Sequence, residues 1–394
     1  MDEAQPVYIV AARRTPIGAF QGALAPLTAP QLGAAAVRGA LERSGISAEQ
    51  VDEVLLGCVL PAGLGQAPAR QAALGAGVPT RVPATTINKV CGSGMKAAMI
   101  GCDAIRAASA RVVVAGGFES MSNAPYLLPK VRAGLRVGHG EVLDHMFYDG
   151  LQNPADGALM GHFADITARK YGFSRAEQDA FAAESVRRAL LACESGAFSD
   201  EVVTLTVKSR KGETLVDRDE PPYNCDINKI PQLKPAFGKD GTVTAASSSS
   251  IADGAAALVL MGEPALRAAG ATPLARVVAY ASHAHEPEWF TTAPAGAIRR
   301  VLQAAGWRAQ DVDLYEINEA FAVVTMAAMR DVDLPHEKVN VNGGACALGH
   351  PIGASGARII TTLVHALKAR KLQRGLASLC IGGGEATAIA IELA

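Results

Sequence analysis

Two cysteines and a histidine stand in three separate glycine-rich turns of this chain: Asn88-Lys89-Val90-Cys91-Gly92-Ser93-Gly94, Gly349-His350-Pro351-Ile352-Gly353 and Cys380-Ile381-Gly382-Gly383-Gly384. A nucleophilic thiol, a base to activate it and a second proton carrier are the parts that carbon–carbon bond exchange between thioesters requires. Cys91 follows a β-like stretch, residues 83–90, and precedes Gly92-Ser93-Gly94-Met95-Lys96-Ala97-Ala98, which reads as the small-residue start of a helix. A thiol at a helix start feels the positive end of the dipole and nearby unpaired N–H groups, which favour its thiolate. Glycines beside it let a substrate approach closely.

His350 lies in a run with five glycines and a proline around it, a setting that packing alone does not demand. Cys380 closes a predicted strand, Ala377-Ser378-Leu379-Cys380, and opens into Gly382-Gly383-Gly384. Consecutive glycines are costly unless backbone amides must turn toward something, and an oxyanion is one candidate; a sheet-edge turn beside a buried thiol is the other. Asn318-Glu319-Ala320-Phe321-Ala322 follows the predicted strand Leu314-Tyr315-Glu316-Ile317, at the carboxyl end where α/β sites gather. Asn318 there holds a water or a carbonyl, or caps a helix.

These turns need a scaffold of alternating strands and helices. Val7-Tyr8-Ile9-Val10-Ala11-Ala12 reads as a strand, 29–44 as a helix, 51–59 as a strand and Val112-Val113-Val114-Ala115-Gly116-Gly117 as a central strand. The alternation predicts a mostly parallel sheet. The same grammar returns later: Leu41, Gly45, Val51 and Asp52 match Leu302, Gly306, Val312 and Asp313, Ser93-Gly94 matches Ser355-Gly356, and Ala115-Gly116-Gly117 resembles Ile381-Gly382-Gly383. Their common order predicts an internal duplication, two similar α/β halves facing each other. The equivalence would set His350 just before the counterpart of Cys91, at the mouth of the matching helix.

Between the halves lies a stretch of different character, residues 121–250, with Leu127-Leu128-Pro129-Lys130, a helix over 174–195 begun by the capping box Ser174-Arg175-Ala176-Glu177, and a polar segment over 210–239. An insertion of that length is expected to bind substrate. Ser247–Ser250 leads into Ile251-Ala252-Asp253-Gly254-Ala255-Ala256-Ala257-Leu258, whose small residues suit a closely packed helix.

Composition narrows the function classes. Forty glycines and a hydrophobic share of 49% fit a layered α/β protein buried on both faces of its sheets. Lys+Arg of 37 against Asp+Glu of 38 creates no overall field for nucleic acid or membrane. The start, Met1-Asp2-Glu3-Ala4-Gln5-Pro6, lacks the pattern of a signal peptide, and no apolar run is long enough to span a bilayer, so a cytoplasmic location is expected. The seven cysteines include no CxxC pair, which argues against a disulfide framework and structural zinc. His283-Ala284-His285 lacks further ligands at metal spacing and reads as a solvated loop. The triple glycine has no GxGxxG context for a dinucleotide.

Taken in order, the Cys91, Asn318, His350 and Cys380 motifs resemble those of the thiolase family, in its acetyl-CoA acetyltransferase branch. Val7–Gly18 (residues 7–18), Gly116-Gly117-Phe118-Glu119-Ser120-Met121-Ser122, Gly241-Thr242-Val243-Thr244-Ala245 and Asp253-Gly254-Ala255-Ala256-Ala257 are also similar to family segments. The resemblance implies an α/β fold duplicated into five layers, αβαβα, with an inserted loop domain that binds coenzyme A. The halves then comprise 1–120 plus 251–272 and 273–394, and the loop domain 121–250. It implies a homotetramer built as a dimer of dimers, working on acetyl-CoA, acetoacetyl-CoA and CoA with no metal or other cofactor, in fatty acid metabolism.

By position, the resemblance makes Cys91 the acyl acceptor, His350 its activator and Cys380 the carrier of the α-carbon proton. The Cys91 and Gly382 amides would form one oxyanion hole; His350 and a water on Asn318 would form the other. Ser249, Met160, Leu159, Phe290, Ala320 and Phe321 are expected along the acyl and pantetheine path. Leu159-Met160-Gly161 stands where relatives have His-Met-Gly, making the pocket more apolar, and Phe290 where some short-chain enzymes have methionine. No arginine among residues 221–226 matches the nucleotide-contacting one of the family, which leaves Lys229 or Lys234 for that part. A broad-chain degradative 3-ketoacyl-CoA thiolase shares the whole mechanism. A ketoacyl synthase, or a non-catalytic CoA or lipid carrier on the same fold, is the further alternative.

Overall fold

A computed structural model describes residues 5–209 and 212–394. Met1–Ala4 of the amino-terminal reading (residues 1–4) and residues 210 and 211 of the polar segment lie outside it. The first half runs β1 (Val7–Arg14), α1 (Ala29–Ser44), β2 (Glu53–Gly57), α2 (Pro68–Gly75), β3 (Ala84–Ile87), α3 (Ser93–Arg106) and β4 (Val112–Ser120). An inserted region follows, with helices α4 (Met160–Tyr171) and α5 (Arg175–Glu194) and a hairpin of Leu205–Ser209 on Gly212–Val216. The chain then returns as β5 (Ala252–Gly262) and continues β6 (Ala275–Ala284), α6 (Ala293–Ala305), β7 (Leu314–Ile317), α7 (Ala322–Val332), α8 (Ser355–Arg370), β8 (Arg374–Ile381) and β9 (Glu385–Leu393).

Local chemistry explains several boundaries. Thr28 and Gln31 form a reciprocal capping box at the start of α1, and Ser174 and Glu177 do the same for α5. Gly45 and Gly306 end α1 and α6 at φ 68° and 67°, the left-handed conformation that glycine adopts without strain.

The strand order is β7-β8-β9-β6-β1-β5-β4-β2-β3, with the short Gly18–Ala19 strand beside β5. β2 is parallel to β3 and β4, and β7 to β8; β5, β1, β6 and β9 pair antiparallel. The expected mostly parallel sheet is therefore a mixed one. The reason is connectivity: β5 comes back from the insertion against β4, and a tight glycine turn folds β9 directly onto β8. The two half-sheets touch edge to edge over Val7–Val277, Tyr8–Arg276 and Ile9–Ala275.

Three apolar clusters define the layers. One packs α1 and α2 on the first half-sheet through Leu32, Val37, Ala72, Val54 and Phe118. The middle one sets Met95, Met99 and Cys102 of α3 against Ile359, Leu363 and Val364 of α8, between strands of both halves. The third packs Ile298 and Val301 of α6 and Ala328 of α7 on the second half-sheet. Helix, sheet, paired helices, sheet, helix gives the expected five layers.

The duplication extends to hydrogen bonds. Asp52 accepts from the N–H groups of Arg111 and Val112 at 2.8 and 3.0 Å, and Asp313 from those of Gln373 and Arg374 at 2.9 and 2.8 Å. One proposed equivalence fails: Gly116-Gly117 lies inside β4, whereas Gly382–Gly384 forms the turn after β8. Each pair answers a different demand. A Cβ on Gly116 would sit 2.1 Å from the Ala256 carbonyl oxygen of the neighbouring strand, while Gly383 and Gly384 have φ 95° and 89°.

The helix expected over Ile251–Leu258 (residues 251–258) is also corrected, because residues 252–258 belong to β5, buried along its whole length. Alanine's helix preference amounts to a few tenths of a kcal/mol per residue, roughly, and yields to a central position in the sheet. Small residues serve there because helices crowd both faces. Similarly, His283 and Ala284 end strand β6 rather than occupying a loop. Among the described residues, no group of side chains is arranged to hold a metal, and no helix is long and apolar enough to cross a membrane.

Buried charge ties the insertion down. Arg14 of β1, fully buried, pairs with Glu201 and Asp219, both at 2.6 Å, and Glu201 also accepts from Thr362 of α8 at 3.1 Å.

α3 and α8 meet at glycine. A Cβ on Gly94 would lie 2.9 Å from the Ala357 nitrogen and 3.0 Å from the Gly353 oxygen, and one on Gly356 2.3 Å from the Met95 nitrogen. Backbone atoms at such distances cannot swing aside. Gly94→Ala should therefore cost about 1–3 kcal/mol, read as a lower urea midpoint with an unchanged slope. An unaltered midpoint would show that the crossing has slack.

Candidate active site

The helix crossing brings the Cys91 and His350 turns to one place. Cys91 itself is half-buried just ahead of α3. Val90 before it has φ 46°, a strained value for a β-branched residue. Three bonds hold that conformation: Val90 N–H donates to Asn88 Oδ1 at 2.9 Å, Ser93 Oγ donates to the Val90 carbonyl at 2.6 Å, and Lys89 N–H donates to Ser93 Oγ at 2.8 Å. Lys89 also forms an ion pair with Glu385 at the start of β9, docking the turn onto the triple-glycine turn. The backbone N–H groups of Gly382 and of Cys91 itself lie near the Cys91 sulfur and favour its thiolate.

Burial still dominates: it pushes the Cys91 thiol up to about 11, against those two N–H groups, with buried Glu119 adding to the rise. The helix-start stabilisation expected from sequence is present but outweighed by desolvation. Cys380 is fully buried at the end of β8, and burial together with the neighbouring Cys91 holds its thiol well above the ordinary range.

His350 sits at 5% exposure, and its N–H donates to the Ser250 carbonyl at 2.9 Å. Burial, with help from the positive charge of Arg358, lowers its pKa to about 3, so the imidazole is neutral. Ser355 Oγ spends its one proton on the Pro351 carbonyl at 2.9 Å. It must therefore accept at 2.5 Å from His350 Nδ1–H, which leaves Nε2 as an unprotonated acceptor. That atom is buried and has no hydrogen-bond partner among the described residues.

Glu119 connects the surrounding loops. Its carboxylate accepts from the N–H groups of Val59, Leu60 and Gly353 at 3.0, 3.1 and 3.0 Å. Burial raises it to about 7 in spite of those donors. Asn318, 1% exposed, keeps both amide atoms without partners among the described residues, and α7 begins with Phe321 rather than Asn318 as its cap.

A cavity of about 180 Å3 contains His350 and is walled by Met121, Phe147, Leu151, Leu159, Met160 and Phe321 among others. Phe237, Ser248, Ser249, Ser250 and Ile251 line both it and a larger cavity of about 710 Å3, which runs out past Cys225, Asp226, Lys229 and Leu233. The serine run is rigid: Ser249 N–H donates to the Ala320 carbonyl at 3.0 Å, and Ser248 Oγ to the Thr244 carbonyl at 2.7 Å.

Most residues singled out in the sequence converge here. Met160 Sδ lies 3.6 Å from where a Cβ of Gly382 would stand. Lys229 lines the larger cavity, 3.2 Å from Asp226. Two of the expected residues line neither cavity. Phe290, 3% exposed, packs edge-on to Phe163 in the cluster behind Cys380 and is absent from the cavity lining. Lys234 is exposed and lines neither cavity. Sequence reasoning gave no part to Glu119, Ser355, Met121, Phe147 or Phe237. Ser355 carried a signal in its match to Ser93; a carboxylate that collects backbone N–H groups from two loops carries none.

Comparison with known proteins agrees with this architecture. The family descriptions "Thiolase, N-terminal domain" and "Thiolase, C-terminal domain" match residues 7–264 and 271–393. The chain belongs to the thiolase family. It is similar to acetyl-CoA acetyltransferases from Pseudomonas aeruginosa (51% identity, covering 98% of this chain and 99% of the other), Escherichia coli (50%, 98% of each) and Schizosaccharomyces pombe (48%, 98% of each).

A neutral thiol beside a neutral imidazole has a pH signature. With its pKa raised to about 11, Cys91 is mostly thiol at neutral pH, and its thiolate fraction grows about tenfold per pH unit below that value. Alkylation of Cys91 by iodoacetamide, followed by peptide mapping, should accelerate from pH 7 to pH 10 without levelling. A plateau below pH 8 would show a preformed thiolate–imidazolium pair instead.

Proposed function

We propose that this thiolase is an acetyl-CoA C-acetyltransferase, joining two acetyl-CoA into acetoacetyl-CoA and CoA and catalysing the reverse thiolysis. The observation that carries this reading is the small apolar cavity at His350, which meets a longer cavity at Ser248–Ile251 (residues 248–251). The first suits a short acyl group and the second the pantetheine and nucleotide of CoA. The names of relatives about half identical over the full length support the same activity.

In the first half-reaction Cys91 gives its proton to His350 Nε2 as its sulfur attacks the acetyl carbonyl. CoA then leaves, taking the Cys380 proton to become its thiol, while His350 keeps the Cys91 proton and the acetyl group stays on Cys91. The Cys91 and Gly382 N–H groups stabilise the oxyanion. In the second half-reaction the Cys380 thiolate so formed removes a proton from the methyl of a second acetyl-CoA and becomes the thiol again. Protonated His350 and a water held by the open amide of Asn318 stabilise the enolate oxygen, and the carbanion attacks the acetyl-enzyme in a Claisen condensation that releases Cys91, which recovers its proton from His350. Dividing the reaction at an acyl-enzyme lets one cavity serve donor and acceptor in turn. The scheme uses no metal or other cofactor.

The wall of Phe147, Leu159 and Met160 favours a short-chain enzyme over a broad-chain degradative one. Residues 1–120 with 251–272 and 273–394 act as the two catalytic halves, and 121–250 as the CoA-binding insertion. β3 is an open sheet edge, and Tyr126, Leu128, Leu135 and Val137 project apolar surface into solvent; both features support a homotetramer. The setting is the cytoplasm.

Brief exposure to acetyl-CoA should add one acetyl group to Cys91, seen by intact-mass and peptide mass spectrometry, and Cys91→Ala should abolish it. Cys380→Ser should keep that adduct but lose about 10²- to 10⁴-fold in acetoacetyl-CoA formation. An acetyl group elsewhere, or full condensation without Cys380, would overturn the assignment of roles.

A further inference from the structure

The small cavity has two walls of different origin. Met160, Phe237 and Phe321 belong to the apolar cluster that contains Cys380. Opposite them, Met121, Phe147, Leu151 and Ile352 belong to the cluster against which Cys91 packs. Met121, Phe147, Leu151 and Ile352 close the small cavity on the Cys91 side; like Leu159, Met160 and Phe321, they line it and not the larger cavity.

Within that closing wall, Met121 and Ile352 are at most 2% exposed and follow directly from β4 and the His350 turn. Phe147 and Leu151 are different. Both lie on a single π-helical turn, Phe147–Leu151, in the insertion, half-buried, with Tyr148 and Asp149 between them exposed. Such turns are rare and recur at functional sites. This one is held in place from both ends. His145, 4% exposed, accepts at Nε2 from the Ala62 N–H at 3.3 Å and meets Asp149 at 2.5 Å through Nδ1. At the other end, a Cβ on Gly150 would stand 3.1 Å from Ile352 Cδ1 and 3.6 Å from Leu60 Cδ2, so the turn lies close against the loops that Glu119 fastens.

Resting on the thiolase reading above, we infer that this turn sets acyl length, with the Phe147 ring as the stop that confines the acyl group to about four carbons. Tyr148 and Asp149, between Phe147 and Leu151 on the turn, are exposed. Truncating the ring therefore opens room for linear 3-ketoacyl-CoA of six or more carbons rather than collapsing the core. Met160 belongs to the opposite, Cys380-side wall, whereas Leu159 pairs with Gln152 beside the end of the turn.

The test compares thiolysis kcat/KM on 3-ketohexanoyl-CoA and acetoacetyl-CoA for the wild type, Phe147→Ala, Phe147→Leu and Tyr148→Ala. The C6:C4 ratio should rise about tenfold or more in Phe147→Ala, in line with what one or two methylenes are worth in an apolar pocket. It should rise less in Phe147→Leu and stay unchanged in Tyr148→Ala. A Phe147→Ala protein that still takes acetyl onto Cys91 but keeps the wild-type ratio overturns the inference. Should the alanine chain not fold, the leucine chain decides in the same way: a raised ratio supports the stop, and an unchanged one removes it. Wild-type Cys91 that takes no acetyl group would overturn the functional reading and this inference together, an outcome distinct from an adduct without a shift in ratio.

Discussion

The close approach of α3 and α8 is the constraint on which the site depends. Both helices are buried between the two half-sheets, and both begin at the turns that carry Cys91 and His350. Gly94 and Gly356 let one backbone lie against the other at the point of crossing. A Cβ at either position would meet backbone atoms across the crossing at 2.3–3.0 Å and push the helices apart, and with them the thiol and the imidazole. The duplication supplies two such helix starts, and the five layers force them to share a centre.

The same burial that builds the site sets its electrostatics. Removing Cys91, Cys380 and His350 from water favours the uncharged form of each, which raises the thiols and lowers the imidazole. The Gly382 N–H counters this only in part. Ser355, by giving its proton to Pro351, leaves His350 one way to be protonated and keeps Nε2 bare. A resting site without charge suits a substrate that is itself neutral at the reacting thioester. The fixed N–H groups become most effective when negative charge appears on oxygen during the reaction, because little water competes for it.

Much of this was legible in advance, for identifiable reasons. Residues whose behaviour is local declared themselves: Ser174 with Glu177, Gly45 and Gly306, the strand at 314–317, and the Asp52 and Asp313 pair that marks the repeat. Residues whose role depends on neighbours far away in the chain did not. The alanines of β5 read as helix because their smallness answers to helices on both faces, which no local window contains. Gly116 and Gly382 looked alike because glycine serves both close strand packing and positive φ. Phe290 and Lys234 were placed along the substrate path by position in a pattern, but fine packing turned one inward behind Cys380 and the other outward to solvent.

By itself, then, the sequence determined the chemical parts: a thiol at a helix start, a histidine and a second thiol in glycine turns, and a repeat that pairs the first two. Side-chain type and short-range backbone preference are written residue by residue, so those parts need no third dimension to be recognised. Tertiary structure alone decided the protonation of those groups, the carboxylate of Glu119 that joins their loops, and the wall around the acyl space. Each of these depends on how much water is excluded and on which distant atoms fill the gap, and only the folded packing determines that.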